Sequence, residues 1–498
     1  MQSAGKEGGG SELRQTIDIS ITEGLFSQVF TSLAGPGSVF LTKLAILMGA
    51  GPVHFGMLSA AGQVSQLFQP LGVVLTRSLT RRKRAVILLA ALGRGITPVF
   101  GMLPFLLTGG APINAFLAAF AASTALQAVS TNAWIGWIGD MVPTRIRGRF
   151  FARRNQILML AGLAVGIVFG IFVDMFDASP GGLAGRITIL LGPLGVPAPP
   201  GLHRYAHYAY LFLFILAGCL GLFGLTILKR QPERAKEVET EPLLSMMTSP
   251  LRDANFRKLA LFGLWWMLAI GVGAPFWQPF MISVLGMSVF MIQIYGTLST
   301  VAAMISLRVW GRFIDRWGNR NAMAFAIILG AINPMLWVAA GPGTIWLIFV
   351  EAVLSGTMWA GAAVVSTNFV LSIAPPSGRQ AYSGLYAAVC GAGMMATMLL
   401  SGIYMPQYAM IGEYIFHPMQ VLFFLTGVLR LTAIIPLFWV EEPMARPFTA
   451  VIRRVMQFAS VRVVALAAVL SSGRRRDETC GEAGVDDNRE NGGDVHAP

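Results

Sequence analysis

Glu351 stands about a third of the way into an apolar run, 343–372, long enough to cross a bilayer. A carboxylate at that depth must be neutralised by a proton, a cation or hydrogen bonds. It therefore suits proton uptake and release, or pairing with a cationic group; a purely structural hydrogen bond is the alternative. Glu23, near the start of the run 20–47, is the second candidate for such proton or cation exchange. Arg94 and Arg430 lie equally deep in their runs, and packing or snorkelling to headgroups is expected of both. Lys43 is expected to snorkel. His203 and His207 would share a helix face, but two ligands without a third define no metal site, so no metal and no cofactor is expected. An interfacial role suits the two histidines better.

A second set of charged groups is clustered. Residues 308–320 carry Gly311-x-x-x-Asp315-Arg316-x-Gly318-x-Arg320 between the apolar runs 288–307 and 322–340. This reads as a tight polar turn joining two membrane helices. Gly311 would let a neighbouring helix come close, and Asp315 can take the positive N-terminus of another helix. Residues 139–154 carry Asp140, Pro143, Arg145, Arg147, Arg149, Arg153 and Arg154. A plain positive anchor explains the arginines of both clusters but not the aspartates.

The elements that must position these groups follow from composition. The 498 residues are 55% hydrophobic and 12% charged, with mean hydropathy +0.64. A soluble domain carries about 25% charged residues, so the chain is read as a polytopic membrane protein. Its net charge of +13 sits in short clusters between apolar runs, which argues for anchoring and against nucleic acid. Cys219, Cys390 and Cys480 form neither a disulfide framework nor a metal spacing.

Twelve spans are expected, near 20–47, 52–76, 85–105, 112–138, 155–174, 206–228, 257–283, 288–307, 322–340, 343–372, 382–402 and 418–440. The links 49–51, 106–111, 284–287 and 403–417 hold no lysine or arginine, whereas 77–84 and 139–154 hold several, so both termini are expected in the cytoplasm. The halves repeat. Gly72 with Arg77 answers Gly311 with Arg316, and Pro36 answers Pro275, each at an offset of 239 residues. Gly56-x-Leu-Ser59 answers Gly296-x-Leu-Ser299 at 240, and Pro143-x-x-x-Arg147 answers Pro375-x-x-x-Arg379 at 232. The expected organisation is a cytoplasmic segment 1–19, a six-helix half 20–228, a linker 229–256, a six-helix half 257–440 and a cytoplasmic tail 441–498. Within the tail, 446–471 reads as an interfacial helix and the acidic end as disordered.

Proline removes a backbone donor, so Ala34-Gly-Pro-Gly37 and Gly273-Ala-Pro-Phe-Trp-Gln-Pro279 should interrupt spans 1 and 7, with Pro36 and Pro275 as hinges. Such matched interruptions point to a central site, although kinks for packing alone are common. Gly162-x-x-x-Gly166-x-x-x-Gly170 suits close helix contact in span 5.

The 308–320 pattern resembles the loop signature of the major facilitator superfamily, G-x-x-x-D-R-x-G-x-[RK], found between helices 8 and 9. The first-half copy departs from it, with Thr76 and Leu79 at the Asp and second Gly positions. The chain is identified as a bacterial-type member of that family on these residues and the repeat. The resemblance implies an all-α fold of twelve transmembrane helices in two pseudo-symmetric halves, with spans 1, 4, 7 and 10 lining a cavity. On those spans the candidates are Gln28, Gln127, Asn132, Trp134, Trp266, Trp277, Gln278, Trp359 and Asn368, with Glu351 facing the cavity and Glu23 at its cytoplasmic mouth. It also implies a cytoplasmic gate of Gly311, Asp315, Arg316, Gly318, Arg320, Asp140, Arg147 and Arg379.

The function expected is secondary active transport of a small organic solute by alternating access in the inner membrane, with a proton as coupling partner. A monomer in contact with membrane lipid and no nucleic-acid partner is expected. A transporter-like sensor or lipid-handling protein is the alternative. A membrane-embedded enzyme would need acids, histidines or a nucleophile clustered at one depth, and none is found.

Overall fold

The computed structural model describes residues 4–67, 81–177, 182–194, 199–233, 243–375 and 379–442. The first-half loop around Gly72 and Arg77, the segment 446–471 and the acidic tail lie outside the described residues. Eleven described segments are helical, long and apolar enough to cross a membrane. The remaining expected span is α3, Pro52–Leu67, whose continuation is outside the described residues. In chain order the other helices of the first half are α1 (Ala4–Ala34), α2 (Val39–Leu47), α4 (Lys83–Gly95), α5 (Thr97–Leu106), α6 (Ala111–Met141), α7 (Thr144–Asp174), α8 (Gly182–Leu191), α9 (Pro199–His203) and α10 (Ala206–Leu228). The second half has α11 (Leu243–Arg252), α12 (Ala254–Gly273), α13 (Trp277–Ser283), α14 (Val289–Trp317), α15 (Asn319–Ala339), α16 (Trp346–Ile373), α17 (Arg379–Ile403), α18 (Pro418–Thr432) and α19 (Ile434–Leu437). A small hairpin, β1 (Ala409–Ile411) with β2 (Tyr414–Phe416), fills the link before α18. Its turn uses Gly412 at φ +63°, a conformation that suits glycine.

Spans 1 and 7 are each broken at the expected proline. The first helix stops at Ala34 and resumes at Val39, with Gly37 at φ +81°. Pro36 has no N–H to offer the carbonyl of Ser32, four residues earlier. The hydroxyl of Ser38 donates to that oxygen instead at 2.9 Å, and to Leu33 O at 2.9 Å. The seventh passes through a 3-10 turn, Ala274–Phe276, around Pro275.

The repeat extends to contacts that no sequence pattern announces. Glu233, just after α10, accepts from the backbone N–H groups of Arg82 and Lys83 at 2.5 and 2.7 Å. Glu442, just after α19, accepts from Asn319 and Arg320 at 2.9 and 2.7 Å. In each half a carboxylate from the end of the last span therefore closes the N-terminus of the third. The donors there have no partner within the helix, and the helix dipole favours the negative charge.

One apolar cluster joins the halves: Phe30, Phe40, Phe100 and Phe116 of the first with Phe276, Phe280, Trp337 and Phe423 of the second. It lies toward the end of the bundle with the uncharged links. The clusters toward the basic end each belong to a single half, around Trp266, Met323 and Phe369 in the second and around Val86 and Trp137, or Ile138 and Phe150, in the first. Glycines let the halves touch. A Cβ on Gly56 of α3 would lie 2.6 Å from Met398 O, and one on Gly402 of α17 would lie 3.0 Å from Pro52 O. On α7, Gly166 and Gly170 lie against Gln293 and Phe290 of α14, and Gly162 against Gln28 of α1. Lipid is as apolar as leucine, so such packing and interhelical hydrogen bonds, not burial from water, hold membrane helices together.

The loop read as a turn at 308–320 is helical. The helix α14 continues to Trp317, and the link to α15 is Gly318 alone, at φ +88°. The polar residues there occupy a regular final turn. Their polarity marks the end of the apolar slab, not the end of the helix. Among the described residues Gly311 receives no neighbour, since a Cβ there would meet nothing within 4 Å. The close approach lies one residue earlier on the helix, where the Trp310 ring fills the space at Gly361.

Candidate functional site

The two broken spans meet at the midpoint of the chain's pseudo-symmetry and are stitched there by side chains. The Thr42 hydroxyl donates to Gln278 Oε1 at 2.6 Å, and Gln278 Nε2 donates to Gly37 O at 2.7 Å. Between the halves at this level is a cavity of about 660 Å³ whose wall includes Pro36, Gly37, Ala274 and Pro275. Both interruptions thus open onto one space.

The wall of that cavity carries two buried charges. Glu351 on α16 is 2% exposed, and Arg430 on α18 is 3% exposed. Tyr295, Asn333 and Trp337 surround the carboxylate with polar groups, and the Arg430 guanidinium acts on it electrostatically. Even so, Glu351 Oε2 has no hydrogen-bond partner among the described residues. Arg430 Nη1 donates to Gly330 O at 3.1 Å, but its buried Nε is likewise without a partner. The two side chains do not form a direct ion pair.

Of the sequence candidates, Trp277, Gln278, Trp359 and Glu351 lie on the cavity wall. The others lie elsewhere. Trp266 is buried in the second-half core under Gly330. Gln28 donates to Ser32 at 3.3 Å and lies on Gly162. Gln127 lies against Gly93. Trp134 stacks under the Arg154 guanidinium, 4.6 Å from its centroid. Asn132 and Asn368 are half-buried and away from the wall. Glu23 is not among the wall residues: it is buried and pairs with Arg94 at 3.1 Å. Arg94 also donates to Ser27 at 2.9 Å and Gly221 O at 2.7 Å.

Neither deep arginine snorkels, because each finds carbonyl oxygen inside its own half at less cost than reaching a headgroup. The first half places its arginine on the third span and bonds a glycine carbonyl of the sixth. The second half exchanges these roles, with Arg430 on the twelfth span bonding Gly330 of the ninth. Lys43 also stays in the protein, pairing with Asp177 at 2.9 Å. His203 ends α9 and His207 belongs to α10, so the pair does not share a helix; His203 contacts Phe176 O at 3.0 Å. Among the described residues no cluster of His, Cys, Asp or Glu can hold a metal.

The wall residues missed from sequence include Arg430, Tyr295, Asn333, Trp337, Gln63 and Gln293. A signal existed for most of them, a polar side chain inside an apolar run, but they lie on spans 2, 8, 9 and 12.

Among the described residues the gate candidates form no network in this conformation. Asp315 is exposed and makes no ion pair among the described residues. Arg147 is turned to Gly139 O and Val142 O, capping α6. Arg316 and Arg320 lie over the rings of Trp317 and Phe438, at 5.4 and 5.5 Å. Arg379 is exposed, and the side chain of Asp140 lies outside the described residues. The carboxylate that does join the halves is at the opposite end. Asp174, closing α7 and 2% exposed, accepts from the N–H groups of Val289 and Phe290 at 2.7 Å each. These are the first two residues of α14.

A polytopic helical protein with two halves about a central cavity has the architecture of a membrane transporter. Residues 267–474 match the family model of the Major Facilitator Superfamily. The nucleoside transporter NupG superposes with a TM-score of 0.57 at 11% identity, over 86% of this chain and 98% of that one. A D-xylose-proton symporter gives 0.57 at 13% identity, over 86% and 97%. A POT family transporter in complex with a thioalcohol-conjugated peptide gives 0.59 at 11% identity, over 85% and 94%. None of the curated proteins matches the sequence. The second half of the chain thus matches the model of the major facilitator superfamily, and most of its length shares the fold of these transporters.

Proposed function

We propose that the protein is a secondary active transporter of a small organic solute that works by alternating access, with a proton carried at Glu351. The observation that carries this reading is the setting of Glu351: a buried carboxylate, with an oxygen lacking a partner, on the wall of a cavity between two halves. Those halves share an apolar core at one end only. Rocking one half against the other would close the basic end and open the uncharged one. With the basic links inside, both termini are cytoplasmic and the present conformation is closed to the outside. The protein then resides in the inner membrane as a monomer in contact with lipid.

The test is transport into proteoliposomes from a panel of labelled solutes, with and without a pH gradient. Glu351→Gln keeps the shape but cannot titrate. It should abolish gradient-driven accumulation while leaving exchange of solute across the bilayer. Accumulation in Glu351→Gln with the wild-type pH profile would remove the carboxylate from the mechanism. Glu23, held by Arg94, would then be the next carboxylate to test.

A further inference from the structure

The cavity wall presents two opposite charges that the protein leaves incomplete. Glu351 and Arg430 are both almost fully buried, yet among the described residues Oε2 of one and Nε of the other have no partner. Tyr295, Asn333 and Trp337 offset part of the burial of the carboxylate, and a buried charge that is only partly compensated suits a site that a ligand completes. The two groups influence one another electrostatically without touching. Their sum is zero, so the site as a whole favours neither an anion nor a cation. A solute with one charge would satisfy one group and leave the site with a net charge in a low dielectric. A neutral solute would leave both groups without a charged partner. A molecule carrying both charges on one small frame satisfies both at once. The rest of the wall suits an apolar body, since Trp277, Trp337, Trp359 and Tyr295 supply flat faces.

We propose that the cavity binds a small zwitterion with a flat apolar body, its ammonium group displacing the proton at Glu351 and its carboxylate at Arg430. Arg430 is then a specificity-determining residue. The bond from Arg430 Nη1 to Gly330 O fixes its guanidinium at the cavity wall. This assignment rests on the transport reading above and names the substrate class for that same site.

The test uses the purified full chain and four matched probes: phenylalanine, phenethylamine, 3-phenylpropionate and benzyl alcohol. Binding is followed by the fluorescence of the wall tryptophans and by thermal shift. Phenylalanine should bind saturably, and each of the other three about tenfold or more weakly, as expected for loss of one charge-assisted contact. Arg430→Gln should erase the preference for phenylalanine over phenethylamine. Glu351→Gln should erase its preference over 3-phenylpropionate. Arg430→Lys keeps the charge and guards against a variant that fails to fold; it should retain part of the preference. Equal binding of benzyl alcohol, preferences unchanged by the variants, or no saturable response to phenylalanine would each overturn the assignment. Accumulation of an uncharged solute in proteoliposomes alongside any of these results would leave the transport reading intact. Binding of phenylalanine without movement of any solute would instead overturn transport.

Discussion

Replacing Asp174 by Asn tests whether one carboxylate keeps the uncharged end of the bundle shut. Asp174 spans the boundary between halves, accepting two backbone N–H groups at 2.7 Å at the start of α14. Each is a hydrogen bond to a charged group, worth about 1.5–3 kcal/mol, and the helix dipole adds about 0.3–1 kcal/mol. Asn keeps one acceptor oxygen but loses the charge, and its amide turns donors toward donors. The expected loss is about 2–3 kcal/mol of preference for the closed end, or roughly a 30- to 150-fold change in the equilibrium. Asp177, 27% exposed in its pair with Lys43, is the control, because a partly solvated pair contributes only about 0–1 kcal/mol. The assay places a cysteine at Ser59 on the cavity wall, with the native cysteines replaced. Labelling by an impermeant maleimide from the uncharged side should accelerate strongly in Asp174→Asn and little in Asp177→Asn. A folded Asp174→Asn protein that labels at the parent rate would refute the argument. It would assign the closure to the apolar cluster around Phe276 and Phe280.

Three other outcomes are expected. Gly402→Val adds bulk where a Cβ already lies 3.0 Å from Pro52 O and 3.2 Å from the Gly56 Cα. It should cost about 1–3 kcal/mol of the same closure, read as faster labelling at Ser59. Asp315→Asn should leave thermal stability within about 0.5 kcal/mol, because the side chain is exposed and unpaired among the described residues. If Asp315 latches the alternate conformation, cavity labelling from the basic side should rise in that variant, and an unchanged rate sinks the latch. His417 caps α18, its Nδ1 accepting from Met419 N at 3.2 Å, and partial burial lowers its pKa. A folded-state value below the unfolded one means that the contribution of the neutral ring is present above the unfolded pKa and is lost as pH falls through the folded one. Stability read from thermal melts should therefore drop between about pH 7 and 5 relative to His417→Asn, which caps without titrating, by less than about 1 kcal/mol. Parallel melting curves for the two proteins across that range would remove the histidine from the acid response.

The spans, their breaks and the end bearing the charged links were legible in the sequence, because each is a local property. An apolar run of about 20 residues must be a helix in lipid, since no water is there to satisfy its backbone. Pro36 and Pro275 break their helices because a missing N–H acts within four residues. The rotation of each helix about its own axis was not legible. The α16 helix is apolar on every side, so nothing in its run says which face Glu351 occupies; only the family resemblance directed it toward a cavity. For the same reason Arg430, on a span not among the expected lining spans 1, 4, 7 and 10, went unrecognised as a wall residue. The same blindness covers Glu233, Glu442 and Asp174, whose backbone partners lie 151, 123 and 115 residues away in sequence. A hydrogen bond to a backbone N–H leaves no mark on the partner's residue type. Only the packed bundle brings those carboxylates to those helix ends, and only it decides at which end the two halves close.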